Sequence, residues 1–257
     1  MPPYPLIAVD VGNARIKLGL FRSESGGQLP QPETTLRLSG RQPELERIGP
    51  WLETAGAETA GGWLLGSVNR PAATRLVDWI RQYRPDDKIT LLAAGDLPLR
   101  VSLPRPDMVG VDRLLDAVAA NHLRRPDRPA VVVDTGTAIT VDLVSAEGTF
   151  RGGAILPGLA MSARAMHEFT DLLPLIEATE LDAPPPVGTS TVEAMRSGLF
   201  WSTVGAIREL VELMAGDRAD VFLTGGASPP VAEQLGPAAR HVPDLTLAGI
   251  ALTAAAE

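Results

Sequence analysis

The 257-residue sequence predicts an α/β protein in which one mixed-sheet unit occurs twice. A repeat is the first sign of it. The stretches "IAVDVGNARIKLGLF" (Ile7 to Phe21) and "VVVDTGTAITVDLV" (Val131 to Val144) are apolar runs that end in Asp, turn at Gly and resume as alternating runs. Asp10 matches Asp134, Gly12 matches Gly136, Asn13 matches Thr137 and Ala14 matches Ala138. Secondly, each half opens on three strand signals before helix and strand signals alternate. Thirdly, "RRPDRPA" (Arg124 to Ala130) is polar and proline-bearing, the best boundary in the chain. It divides the protein into expected domains 1–125 and 126–257.

In the first half, Leu6–Val11 is a short apolar run, and Ile16, Leu18 and Leu20 then alternate with polar residues or Gly, a hairpin signal. Thr34–Leu38 reads as a third strand. A helix is expected over Pro43–Ala55, a strand over Trp63–Gly66, a helix over Pro71–Tyr83 and a strand over Ile89–Ala93. Val111, Leu114, Leu115, Val118, Ala119 and His122 fall on one face of a helix. The second half restarts with strands at Ala130–Asp134, Ala138–Val144 and Thr149–Ile155. Pro157 stands where a helix is expected to begin, since its missing N–H is no loss in a first turn. "STVE" (Ser190 to Glu193) reads as a capping box opening a helix through Met214. A strand at Val221–Thr224 runs into "GGA", and an apolar helix from Leu245 closes the chain.

Composition narrows the function. The net charge of −8 disfavours non-specific binding to nucleic acid or anionic membrane. There is no cysteine, so disulfides and thiolate metal sites are excluded, as suits a cytoplasmic protein. "MPPYPLIAVDVG" has no basic lead and only a short apolar segment, unlike a signal peptide. No window approaches the roughly 20 apolar residues of a membrane span. Lys17 and Lys88 are the only lysines, which makes Lys17, inside the first repeat, unusual.

The chemistry gathers at the repeats. Gly12 and Gly136 permit tight turns, so that backbone N–H groups and the side chains of Asn13 or Thr137 can hold anionic oxygens. Asp10 and Asp134, at the ends of buried strands, call for a nearby cation or a water-filled cleft. Two such loops facing one another would grip a polyphosphate, with metal ions between. Lys17 can add a phosphate contact or remain a solvated lysine. No P-loop and no G-x-G-x-x-G is present, and His122, His167 and His241 lack metal-ligand spacing. In "GVDR" (Gly110 to Arg113), a first-turn Asp112 is favoured by the helix dipole. As a base for a substrate hydroxyl its pKa would be held low, which phosphoryl transfer tolerates. Gly152 and Gly153 allow close backbone approach, and the helix after Pro157 offers free N–H groups to an anion. "FLTGGA" (Phe222 to Ala227) can accept a flat base against bare backbone or, taken alone, equally be a plain strand-to-helix turn.

Taken together, "DVGNARIKLGLF", "GVDRLLDAVAA", "VVVDTGTAITVDLV", "GTFRGGAILPGLAMSARAM", "STVEAMRSG" and "FLTGGA" closely resemble type III pantothenate kinases, of the acetate and sugar kinase, chaperone ATPase and actin superfamily. The resemblance implies two ribonuclease-H-like domains with the nucleotide between them. It implies a homodimer with pantothenate near the subunit interface, and ATP-dependent phosphorylation of pantothenate with Mg²⁺ and a monovalent cation, K⁺ or NH₄⁺. By the same resemblance, Asp10, Val11, Gly12, Asn13, Ala14, Arg15, Ile16 and Lys17 form the first phosphate loop, with Asp10 near Mg²⁺. Thr137 contacts ATP and Asp134 holds the monovalent cation. Gly110, Val111, Asp112 and Arg113 bind pantothenate, Asp112 as proton acceptor and Arg113 toward the carboxylate, and Thr191 contacts substrate. Two departures stand out. Ala14 replaces a common Thr, and Leu103 stands where the family often has a substrate-contacting Tyr. Leu103 motivates one alternative, a kinase for a related small hydroxy acid. The other is a non-catalytic ATP-binding regulator.

Overall fold

A computed structural model of the chain describes residues 5–22, 26–57, 61–177, 182–237 and 239–255. Met1 to Tyr4, part of the segment weighed as a leader, lie outside the described residues. Two compact units are present: Met1–Leu123 with Asp244–Glu257, and Arg124–Pro243.

The first unit holds β1 (Leu6–Val11), β2 (Arg15–Phe21), β3 (Thr34–Ser39), α1 (Ile48–Thr54), β4 (Gly62–Ser67), α2 (Arg70–Tyr83), β5 (Lys88–Leu91), a two-residue β6 (Arg100–Val101) and α3 (Val111–Leu123). Its sheet runs β3-β2-β1-β4-β5, with β1 antiparallel to β2 and parallel to β4. Ile7, Val9, Val11, Ile16, Leu18 and Leu20 are all buried, and a one-residue slip would turn each from the core to the opposite face. The helix expected from Pro43 is shorter. A 3₁₀ turn covers Leu45–Arg47 and α1 starts at Ile48, with Pro50 in the first turn, where a missing N–H is harmless.

The second unit holds β7 (Ala130–Thr135), β8 (Ala138–Val144), β9 (Thr149–Pro157), α4 (Leu159–Glu168), α5 (Thr191–Ala215), β10 (Asp220–Thr224), α6 (Ser228–Leu235) and β11 (Ala239–His241). Within it the order is β11-β10-β7-β8-β9. Arg125 anchors its start: the backbone N–H donates to Asp220 Oδ2 at 2.8 Å and the guanidinium grips the same carboxylate. Pro157 does not open a helix. Pairing with Ala138 extends β9 through it, and α4 begins at Leu159. The Ser190 hydroxyl does cap α5, accepting from Glu193 N at 3.3 Å, but the Glu193 carboxylate reaches back to Thr189 rather than to the N-cap. Neither α6 nor β11 is among the elements that the sequence predicts.

The closing helix, α7 (Leu245–Ala255), departs from the expected division, for it belongs to the first unit. Burial on nearly every side explains its apolar sequence. It meets α3 closely enough that a Cβ on Gly249 would overlap the Leu115 carbonyl. Thr246 Oγ1 also donates to the buried Asp116 carboxylate of α3 at 2.8 Å. A stretch counted by sequence order in the second half is thus a layer of the first.

Candidate functional site

In the first unit the hairpin closes through the Gly12 N–H donating to the Arg15 carbonyl at 3.0 Å. Asp10 and Lys17 are register partners, and Lys17 Nζ stands 3.8 Å from Asp10 Oδ2. Lys17 is therefore not a simple solvated lysine: its side chain is only 21% exposed and it supplies the cation that the Asp10 position calls for. Asn13, Ala14 and Arg15 form the exposed tip. Val11 and Ile16 are fully buried, so these two candidates have only main-chain atoms to give a ligand. Gly40, absent from the sequence candidates, supports the tip from behind. Its N–H donates to Ala14 O at 2.8 Å, and a Cβ there would lie 2.8 Å from the carbonyl oxygens of Gly12 and Asn13. The Asn69 side chain meets the same loop at Gly12. Both could have been sought as small or turn-forming residues at strand ends, but nothing in their spacing ties them to Gly12.

The start of α3 is fixed by packing on β4. Gly66, the register partner of Asp10, leaves room for Leu115 and Val111, so the first turn of α3 comes to the Asp10 end of the sheet. Asp112 there accepts from the Arg113 N–H at 2.8 Å, and Gly110 leaves its carboxylate space, since a Cβ would lie 2.6 Å from Oδ1. Asp112 is not held at low pKa, as the helix position led us to expect. Burial raises it, outweighing the Arg113 N–H, the Arg113 charge and the Lys17 charge, which favour the ionised form. A carboxylate made more basic by its surroundings is better suited to accept a proton. Asp10, Lys17 and Asp112 thus form one electrostatic group. Arg113 is half-buried beside Asp112, and Leu103 is half-buried in the irregular segment before α3.

In the second unit Gly136 N donates to Ala138 O at 3.1 Å, the counterpart of the Gly12 turn. Thr137 is exposed at the tip and Asp134 half-buried behind it. Two glycines brace this loop. Gly158, the N-cap of α4, donates its N–H to Thr137 O at 3.2 Å, and a Cβ there would lie 2.6 Å from Gly136 O. Gly225, in the "TGGA" turn, has φ +94° and sits where a Cβ would overlap Asp134 Oδ1. The two quoted glycine motifs therefore converge on the second loop. Thr191 begins α5 and is exposed.

Among the described residues no three His, Cys, Asp or Glu side chains gather as a metal cage. Asp10 alone fits Mg²⁺ held mainly by phosphate oxygens and water. The second loop offers a different donor set. Thr224, the register partner of Asp134, is buried, and its hydroxyl oxygen finds no hydrogen-bond partner among the described residues. A carboxylate beside an unsatisfied buried hydroxyl fits a cation that takes oxygen ligands. No helix among the described residues is long and apolar enough to cross a membrane.

A family model for type III pantothenate kinase matches residues 6–213. Similar curated proteins named type III pantothenate kinase include one from Rhodopirellula baltica, 35% identical over 86% of this chain and 87% of the relative. One from Acidiphilium cryptum is 32% identical over 96% and 93%. Among solved structures, the chain resembles a protein assigned as a 2-dehydro-3-deoxygalactonokinase from Sinorhizobium meliloti (TM-score 0.59, 16% identity, 98% of both chains). It also resembles the activator of the 2-hydroxyisocaproyl-CoA dehydratase from Clostridium difficile with bound ADPNP (TM-score 0.54, 14% identity, 99% of this chain and 94% of that one). At these identities the structural likeness speaks for the fold alone.

Proposed function

The chain belongs to the type III pantothenate kinase family, and on that footing we propose that it transfers the γ-phosphoryl group of ATP to pantothenate, giving 4′-phosphopantothenate for coenzyme A synthesis. The observation that carries the mechanistic reading is the place of half-buried Asp112 in the first turn of α3. The packing of Val111 and Leu115 on Gly66 brings that turn to the Asp10 end of the sheet, where burial raises the Asp112 pKa against the Lys17 charge. The pantothenate hydroxyl gives its proton to the Asp112 carboxylate while its oxygen attacks the γ-phosphorus. The bond to the β,γ-bridging oxygen breaks and ADP leaves. Because the transition state is loose, positioning and charge stabilisation do most of the work.

Backbone N–H groups at the loop tip and the exposed side chains of Asn13 and Arg15 hold phosphate oxygens, and Lys17 supports their charge. The Val111 side chain is core, so substrate contact in "GVDR" falls to Gly110, Asp112 and Arg113, with Arg113 facing the pantothenate carboxylate. Leu103 packs toward the gem-dimethyl group rather than donating a hydrogen bond. Thr137 contacts ATP from the second loop, and Thr191 contacts the substrate. When bound, Mg²⁺ near Asp10 would neutralise charge on the phosphates, and K⁺ or NH₄⁺ at Asp134 and Thr224 would do so at the second loop. A homodimer is the arrangement that the family resemblance implies, and the exposed apolar residues Phe169, Leu172 and Val187 of the second unit are of the kind that a subunit interface covers.

The test is direct. Purified protein with ATP, Mg²⁺ and K⁺ should convert pantothenate to its 4′-phosphate, and Asp112→Asn should stop turnover while the fold persists. An unchanged rate in that variant removes Asp112 from the base role. Leu103 favours a second reading, a related small hydroxy acid as acceptor. A panel of acceptor alcohols separates the two by kcat/KM.

A further inference from the structure

Asn69 lies in neither repeat and is absent from the residues that the sequence marks. Its side chain nevertheless joins three elements of the first unit. Nδ2 donates to the carbonyl of Gly12, in the turn of the first loop, at 3.3 Å and to the carbonyl of Gly40, at the end of β3, at 3.4 Å. On the other side of the same amide, Oδ1 accepts from Ala72 N at 3.2 Å, which makes Asn69 the N-cap of α2. The backbone holds it in place: Asn69 N donates to Ser67 Oγ at 3.1 Å, and Val68 N donates to Val11 O at 3.1 Å.

The two ends of the amide have separable tasks. The oxygen satisfies a free N–H of α2, which Asp or Ser would do as well. The nitrogen draws together two carbonyls, one in the β1–β2 turn and one just past β3, and only a donor can do that. Gly12 and Gly40 are already in close contact, with room for no Cβ between them. The donor end therefore acts on the tight turn of the first loop, whose N–H groups must keep a fixed direction to hold phosphate.

We propose that Asn69 is a positioning residue for nucleotide binding, its amide nitrogen clamping the Gly12 turn against Gly40 while its oxygen caps α2. The proposal rests on the reading of residues 10–17 as a phosphate loop. Asn69 touches no reacting atom, and its effect reaches the nucleotide through the backbone of the loop.

Three variants divide the tasks. Asn69→Asp keeps a cap acceptor and loses the donor, Asn69→Ser keeps the acceptor but carries its one hydroxyl proton an atom short of the two carbonyls, and Asn69→Ala loses both. Amide hydrogen exchange on the full chain without ligand should be about tenfold faster at Gly12 and Gly40 in all three variants. The amides of Ala72 and Ala73 should exchange faster only in Asn69→Ala. Fluorescent ATP analogue binding should weaken about tenfold in Asn69→Asp, with KM for ATP rising alike and KM for pantothenate and kcat changing less than about threefold. Unchanged exchange at Gly12 and Gly40 in Asn69→Asp overturns the clamp. Faster exchange with unchanged nucleotide affinity overturns its role in binding. If the parent binds the nucleotide but phosphorylates no pantothenate, the proposed activity fails while the exchange and affinity results still decide the clamp.

Discussion

Lys17 Nζ lies 3.8 Å from Asp10 Oδ2 across a β1–β2 register pair, and the same ammonium favours the ionised form of Asp112. One cation thus serves two carboxylates, one proposed for metal and phosphate, the other for the proton. Lys17→Met should lower kcat/KM by about tenfold or more, through loss of charge stabilisation. It should also move the acid limb of the pH–rate profile to higher pH. Lys17 opposes the upward effect of burial on Asp112, so its removal lets that pKa rise further, and the base must be ionised to act. A profile whose acid limb stays in place would separate Lys17 from Asp112.

Burial of Asp112 carries a stability consequence of definite sign. Its folded-state pKa is raised, so the native state binds its proton more readily than the unfolded chain. The charge burdens the native state once pH exceeds the folded pKa, and the burden disappears as pH falls below the unfolded value. Asp112→Asn removes it while keeping an oxygen for the Arg113 N–H. The inactive variant should therefore melt above the parent at neutral pH, by a few degrees at most. The gap should close as pH falls through the carboxylate range. A variant that melts below the parent at neutral pH would contradict this account.

The repeat was legible because it is local: Asp, turn, Gly and alternating run fall within one hairpin, where period and turn chemistry suffice. The strand ends of Asp10 and Asp134 and the amphipathic start of α3 followed from the same logic. What supports these loops was not legible. Gly40, Asn69, Gly158 and Gly225 reach them from residues distant in sequence, and close backbone approach leaves no periodic trace. The pKa of Asp112 went the other way from the helix-end argument because first-turn position is a local feature, whereas burial depends on the tertiary packing of α3. The membership of α7 in the first unit escaped for the same reason, since an apolar helix declares that it is buried but not against what.

The second loop gives a test that needs no turnover. Thr224, the register partner of Asp134, has a buried Oγ1 with no hydrogen-bond partner among the described residues. Thr224→Val keeps the shape and removes the oxygen. In buffer free of K⁺ and NH₄⁺ the variant should be more stable than the parent by about 1 kcal/mol, because an unsatisfied buried group is gone. Added K⁺ should raise the melting temperature of the parent and leave Asp134→Asn unmoved, with Thr224→Val in between. Equal K⁺ response in all three proteins would remove the cation from this loop.

Helix α7 provides the last test, because it supports the helix that carries Asp112. Gly249 meets the Leu115 carbonyl so closely that any side chain must push α7 and α3 apart. On its other side Leu115 fills the space left by Gly66, beside Asp10. Strain at one contact therefore bears on the position of the first turn of α3. Gly249→Ala should lose about 1 to 3 kcal/mol of stability in chemical denaturation, as overpacking in a closed core does. Thr246→Val, which removes the hydrogen bond to Asp116 without adding bulk, should lose less than Gly249→Ala and leave the geometry of α3 intact. The informative quantity is kcat: it should fall in Gly249→Ala under conditions where the protein is fully folded, and hold near the parent value in Thr246→Val. Loss of stability in both with no loss of kcat in either would show that α7 supports the fold without setting the aim of Asp112.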